Sequence, residues 1–372
     1  MSSALSDSLM LQDLFKRGRN SFSVLRLVLA TSVVLSHSFY LPNFGIDPFE
    51  RWTGLRLGSL AVDGFFSLSG MLVTASLLRD RSLAVFVRHR LARLMPGFWV
   101  CLAFCALILA PITIVLDHGW RSLLNLASIK ALLGYILKNA ALLIREPTLP
   151  NVLSGLSYRR INPCLWTLAP EACCYALLTV AATLTLLNNR PRSLILLFGF
   201  IVGLSLLSPI GLNVLVSFGG EALIRLVEIG LHFLAGVLTV LFLGRLRMST
   251  VTALGFVAGY TVCLVLPPLH FLRVPLMAPA LAALARVIPL HGRCDATDIS
   301  YGIYLYGSAL QQFLVWAGWT AMGPWSFFAL SILLTTPFAL LSWLAIERPA
   351  LQRWGRRTEG ADARNVKIQA VM

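Results

Sequence analysis

Apolar stretches of about 17 to 25 residues, separated by short turns that often carry arginine, recur along almost the whole chain. As a helix, a stretch of that length covers the ~30 Å of a bilayer's hydrocarbon core. Such stretches fall at 22–41, 57–78, 94–116, 165–187, 194–212, 223–243, 251–267, 271–289, 299–317 and 325–346. The expected fold class is therefore all-α, a polytopic transmembrane helix bundle of about ten spans. Composition agrees: 57% of residues are hydrophobic and 13% charged, about half the charge of a soluble domain. The expected organisation is a cytoplasmic N-terminal segment at 1–20, a transmembrane domain at 21–355 and a cytoplasmic tail at 356–372. Residues 1–20 are polar and basic without an apolar core or cleavage site, so the first span is expected to serve as the insertion signal.

The net charge of +15 would suit a nucleic-acid binder if it formed one patch, but it does not. Lys16, Arg17 and Arg19 precede the first span, and Arg79, Arg81, Arg88, Arg90 and Arg93 join the second to the third. Arg190, Arg192, Arg245 and Arg247 mark later turns, and Arg348, Arg353, Arg356 and Arg357 follow the last span. The alternate turns 208–220 and 318–324 hold no Lys or Arg. This is the positive-inside pattern, so the partner is a lipid bilayer and not nucleic acid. An even number of spans with both termini cytoplasmic in a bacterial inner membrane satisfies it. The long basic segment 117–164 is the exception, since it falls outside. Within it Lys130 and Lys138 interrupt the apolar run 123–143, which is expected to form an amphipathic or re-entrant helix. The seven cysteines show no C-x-x-C spacing and read as small apolar residues, with no metal site or disulfide framework.

Ionisable groups inside hydrocarbon are costly and therefore candidates for function. Arg26 and His37 lie eleven residues apart on the first span, about 16 Å along a helix and on the same face. An imidazole in that position can act as a general base, or it can simply bond a neighbouring helix while Arg26 reaches the inner surface. In the second span Asp63, Ser67 and Gly70 share a face. Asp63, on a helix running the opposite way, is expected at a depth similar to His37, where a carboxylate can orient an imidazole. Pairing with a structural arginine is the other reading. Glu171, at the outer start of the fourth span, is a further carboxylate. Arg90 and Arg93, three apart in the turn before the third span, can converge on one anion or simply mark topology. Asp298 reads as a helix cap and Glu347-Arg348-Pro349 as a helix stop.

Taken in order, these pieces resemble the integral-membrane acyltransferase 3 family over roughly residues 20–355. Arg26 and His37 are similar to the family's basic-residue-to-His motif, and Val62–Gly70 to its Val-Asp-x-Phe-Phe-x-x-Ser-Gly signature. Arg90-x-x-Arg93 with Pro96 resembles its Arg-x-x-Arg turn, and Leu165-Trp166-Thr167-Leu168 through Glu171 its Trp-Ser-Leu-x-x-Glu. Ile299–Leu305 and Glu347-Arg348-Pro349 resemble its late motifs. The chain departs from the pattern at Tyr306-Gly307, where members often carry a histidine, and at Cys173-Cys174, where aromatics are more usual.

The resemblance implies transfer of an acyl group, most often acetyl, from an acyl-CoA co-substrate to a hydroxyl of an exported or surface carbohydrate or glycolipid. No bound cofactor is implied. It marks His37, Asp63 and Glu171 as catalytic. It marks Arg26, Arg90, Arg93, Ser69 and Tyr301 as substrate-binding, with Arg90 and Arg93 expected at the donor's phosphates. Direct transfer and a transient acyl-enzyme on His37 are both open. The alternative is a glycan transporter or flippase, which also keeps charges inside a bundle; against it, no inverted repeat is visible.

Overall fold

The computed structural model describes residues 9–15, 21–79, 82–184, 199, 210–244, 246–288 and 297–354. Its helices, in chain order, are α1 (Phe22–Tyr40), α2 (Pro48–Thr53), α3 (Leu57–Arg79), α4 (Leu83–Phe104), α5 (Ala110–His118), α6 (Trp120–Leu123), α7 (Leu126–Asn139), α8 (Leu168–Thr183), α9 (Ile210–Leu243), α10 (Thr250–Val265), α11 (Arg273–Val287), α12 (Ser300–Trp316) and α13 (Pro324–Ser342). Strands are limited, among the described residues, to one antiparallel pair, Leu9–Met10 with Arg247–Met248. Among the described residues seven helices are long and apolar enough to cross a membrane, and α10 is a shorter apolar one. The fold class is thus the expected helical membrane bundle. Most of the expected span at 194–212 lies outside the described residues, so the count of about ten is not reached from these helices.

Two compact units make up the chain. The first comprises residues 1–33, 46–79 and 170–298, and the second residues 34–45, 80–169 and 299–372. In the first unit α3 packs along α9 with almost no side chain between them at one point. A Cβ on Gly70 would collide with the Phe233 carbonyl, and one on Gly236 with the Ser67 carbonyl. That approach brings the polar groups of α3 against those of α9. Around it Leu68, Met71, Met248, Ala278 and Ala282 form a buried core. Leu11 and Leu14 join that core from the N-terminal segment, which its polar composition did not suggest.

Three boundaries differ from the sequence expectation. The third span was placed at 94–116 with Arg88–Pro96 as a turn, but the helix starts at Leu83 and runs to His118. A π-turn at Cys105–Leu109 lies within it. Its 36 residues would extend about 54 Å at 1.5 Å per residue. This exceeds the hydrocarbon thickness, so the arginine-rich first turns can lie beyond it. The turn expected at 208–220 is helical from Ile210, with the break at Gly220 (φ 64°, ψ −165°), a conformation that glycine adopts without strain. Glu347-Arg348-Pro349 does not stop its helix either, since helical backbone continues through 354. A π-turn at Trp343–Glu347 ends two residues before Pro349. Its i→i+5 bonding departs from the i→i−4 ladder that a proline would otherwise interrupt.

In the second unit α12 and α13 also touch closely, a Cβ on Gly302 meeting Ala339 Cα at 2.7 Å. Phe104 and Tyr306 pack edge to face at 5.3 Å. Segment 123–143 does contain an amphipathic helix, α7, burying Leu132, Tyr135 and Asn139 and exposing Leu126, Ile129, Leu133 and Leu137. Its 14 residues span only about 21 Å, too short to cross. Asn139 locks the following loop, its amide donating to Glu146 O and its oxygen accepting from Arg145 N and Glu146 N at 2.8–3.0 Å.

Candidate functional site

In the second unit the polar groups converge from α12. Tyr301, Tyr304, Ser308 and Gln311 recur at spacings of three and four and so share one helix face. Ser308 Oγ lies 2.9 Å from His37 Nδ1 and 2.7 Å from Cys164 Sγ. The Tyr304 hydroxyl meets Thr167 Oγ1 at 2.6 Å and donates to the Cys164 carbonyl at 3.2 Å. Gln311 donates to Val34 O and Ser38 Oγ, both at 2.9 Å, which holds the last turns of α1 where His37 sits. Thr167 occupies the hydroxyl position of the Trp-Thr-Leu segment, and its bond to Tyr304 is a physical reason for a hydroxyl there.

The two edges of the His37 ring differ. Nδ1 points at Ser308 and Cys164, which are 1% and 4% exposed. His37 itself is only half-buried, and Nε2 has no hydrogen-bond partner among the described residues. Burial pushes the Cys164 thiol up to about 12, against the opposing effect of the Ser308 and Tyr304 hydroxyls. Cys164 therefore remains a neutral thiol and not a thiolate nucleophile.

Arg90 and Arg93 lie on one face of α4. The Arg93 guanidinium sits 5.6 Å from the Tyr301 ring centre, and that of Arg90 sits 5.7 Å from Phe86. The Tyr301 hydroxyl donates to Leu94 O at 2.7 Å. Arg90 Nε is buried with no hydrogen-bond partner among the described residues. Of the expected substrate-binding residues, Arg93 and Tyr301 are thus brought together.

The first unit holds a cluster of charges inside the bundle. Asp63, 1% exposed, forms an ion pair with Arg225 Nη1 at 2.7 Å and faces His232 Nε2 at 3.5 Å. Arg225 also pairs with Glu228 at 2.8 Å, and Glu228 pairs with Arg273. Arg225 further donates to Ser59 O at 2.9 Å. Ligand atoms of Asp63, Glu228 and His232 lie within 4.8 Å of one another. The two guanidiniums already balance the two carboxylates, so the set is neutral with His232 uncharged and offers a cation no net negative charge. Of the readings open for Asp63, pairing with an arginine is the one realised here. At His37 Nδ1 the partner is Ser308, a hydroxyl and not a carboxylate. Glu171 accepts from Tyr175, and Ser69 Oγ lies 2.9 Å from that tyrosine's hydroxyl. Ser69 also donates to Glu171 at 3.4 Å, so these two expected site residues do meet. Arg26 pairs with Asp298 at 3.0 Å and donates to Ser23 at 3.3 Å. The carboxylate expected to cap a helix is a charge partner of Arg26.

Arg225, Glu228, His232 and Arg273 were missed in the sequence although three of them lie at i, i+3 and i+7 within one apolar span, a legible signal for intramembrane ionisable groups. Ser308 and Cys164 carry no such signal.

A buried-edged imidazole and paired basic residues on a multi-pass helical bundle define a membrane acyltransferase once the relatives are considered. The chain belongs to the acyltransferase 3 family: the family's profile, described as an acyltransferase domain, matches residues 19–347. It is similar to nodulation protein 10 of Rhizobium leguminosarum bv. viciae, with 29% identity over 358 residues, covering 90% of this chain and 94% of that protein. It is also similar to the O-acetyl transferase of Shigella phage Sf6, with 28% identity over 346 residues, covering 90% and 96%. No solved structure matches the chain. The family membership decides for an enzyme over a transporter.

Proposed function

We propose that this protein moves an acetyl group from acetyl-CoA to a hydroxyl of an exported or surface carbohydrate, working in a bacterial inner membrane with both termini in the cytoplasm. The observation that carries the reading is His37, an imidazole with one edge held at 2.9 Å by Ser308 and the other unpartnered, in a chain of this family. Similarity to a phage O-acetyl transferase favours acetyl and a hydroxyl acceptor. His37 takes the proton of the acceptor hydroxyl as its oxygen bonds to the thioester carbonyl carbon. The C–S bond then breaks, and the CoA thiolate leaves with the proton from the imidazolium. Arg90 and Arg93 bind the donor's phosphates, two guanidiniums three residues apart being suited to that anion. In the other unit Glu171, Tyr175 and Ser69 form a hydrogen-bonded set of their own. Asp63 supports its own unit by neutralising Arg225.

The test is transfer of label from [¹⁴C-acetyl]-CoA to glycan in membrane vesicles with and without the protein. Alkali-labile label in glycan that depends on the protein supports the reading. Absence of label from acetyl-CoA, with longer acyl-CoA donors active, would replace the donor, and inactivity with every thioester would overturn it.

A further inference from the structure

In acyl transfer the nitrogen that receives the proton must carry a lone pair toward the substrate, so the neutral tautomer of the base matters as much as its position. Three observations bear on His37. Its Nδ1 edge faces Ser308, which is 1% exposed, and Cys164, which is 4% exposed. Its Nε2 has no protein partner among the described residues, both side-chain contacts of the ring being at Nδ1, and the residue as a whole is of intermediate burial. Ser308 Oγ is bonded on both sides, 2.9 Å from Nδ1 and 2.7 Å from Cys164 Sγ. A hydroxyl donates one hydrogen and accepts at its lone pairs, so it can receive Nδ1–H and direct its own hydrogen to the sulfur. With the proton on Nε2 instead, an N–H would be left without a protein acceptor while Ser308 turned its hydrogen inward.

We infer that Ser308 is the positioning residue of this active site, fixing His37 as the Nδ1–H tautomer so that Nε2 is the atom that accepts the proton of the incoming hydroxyl. The inference rests on the proposed function for its catalytic consequence, but the tautomer itself does not. Ser308 takes the place that a carboxylate holds in a Ser-His-Asp arrangement, with a neutral acceptor in place of an anion. Its burial sets it apart from an acyl-carrying nucleophile, which a thioester carbonyl would have to reach. Gly307 keeps α12 close enough for this contact, because a Cβ there would meet Val34 Cγ2 at 2.8 Å.

Two measurements test the inference. The first is the ¹⁵N spectrum of imidazole-labelled full-length protein in lipid, with His37→Gln used to assign the signal. An Nδ1-protonated neutral His37 is expected, and in Ser308→Ala the tautomers mix. A His37 protonated on Nε2 in the wild type overturns the assignment whatever the enzyme's activity. The second is kinetic. A hydrogen bond to a group that becomes charged is worth about 1.5–3 kcal/mol, so Ser308→Ala should lower kcat roughly 10- to 100-fold. KM for acetyl-CoA should stay within about twofold, and Ser308→Thr should recover most of the rate. In the His37→Ala background Ser308→Ala should cost nothing further. Equal losses in both backgrounds, or a Ser308→Ala enzyme with full kcat, would show a packing role only. An inactive wild type would count against the proposed function while leaving the spectrum to decide the tautomer.

Discussion

Removing one charge from the Asp63–Arg225–Glu228–Arg273 cluster should harm the protein more than removing two. Asp63→Asn keeps the volume but leaves two guanidiniums facing the single carboxylate of Glu228, an excess buried positive charge beside His232. Breaking a buried pair from one side costs about 3–5 kcal/mol, because the surviving charge stays desolvated. Arg225 retains Glu228 at 2.8 Å and the Ser59 carbonyl at 2.9 Å, which argues for the lower end. Adding Arg225→Met restores neutrality, since Glu228 and Arg273 remain as a pair. It forfeits the bond to Ser59 O, worth about 1 kcal/mol. The double variant should therefore regain roughly 1–3 kcal/mol relative to Asp63→Asn alone, a coupling of the size expected for groups in one network. The assay is the temperature at which detergent-solubilised protein loses its monodisperse size-exclusion peak. The order expected is wild type, then the double variant, then Asp63→Asn. If the double variant falls below the single by an additive amount, or Asp63→Asn is as stable as the wild type, the charge-balance argument fails.

Other outcomes follow from the same contacts. Gly70→Val should destabilise the first unit by about 1–3 kcal/mol through overpacking against the Phe233 carbonyl, read by the same thermal assay, whereas wild-type stability would contradict the close helix contact. Asn139→Ala strands three backbone groups at Arg145 and Glu146 in the loop after α7, and proteolysis of the 140–164 segment should accelerate roughly 5- to 150-fold if that loss is about 1–3 kcal/mol. Arg90→Ala should raise KM for acetyl-CoA about 10-fold or more while kcat changes little, as expected for a charge-assisted bond to the donor. Cys164, a thiol held neutral up to about 12, should be ionised in only about one part in 10⁴ at pH 8, against roughly a quarter for an ordinary thiol. Mass spectrometry should find it unmodified by a permeant maleimide at pH 8 until the protein is unfolded in SDS. In the native protein its labelling should rise about tenfold per pH unit between pH 8 and 10. Equal labelling of native and unfolded protein would refute the burial.

Much of this fold could be read from hydropathy, because span length against bilayer thickness leaves few options for a chain this apolar. The start of α4 could not, since Arg88, Arg90 and Arg93 dilute the apolar signal over residues that are nevertheless helical. Nor could the helix that continues past Pro349, because a π-turn has no sequence signature that a proline rule can weigh. His37 was legible as an ionisable group in an apolar span, and Asp63 likewise. Their partners were less so. A serine among apolar residues of α12 looks like any small residue, and only its register against His37 gives Ser308 a role. Arg225, Glu228 and His232 were visible in principle, yet which carboxylate meets which guanidinium depends on the glycine contact between α3 and α9, a tertiary fact.

The most direct test of the account compares wild type, His37→Ala and His37→Gln in proteoliposomes, with [¹⁴C-acetyl]-CoA as donor, a carbohydrate acceptor shown to be used by the wild type, and each variant verified as folded. The account predicts acetylated carbohydrate with the wild type and a loss of at least a hundredfold with both variants, as for removal of a general base. Transfer at wild-type rate by either variant would contradict it.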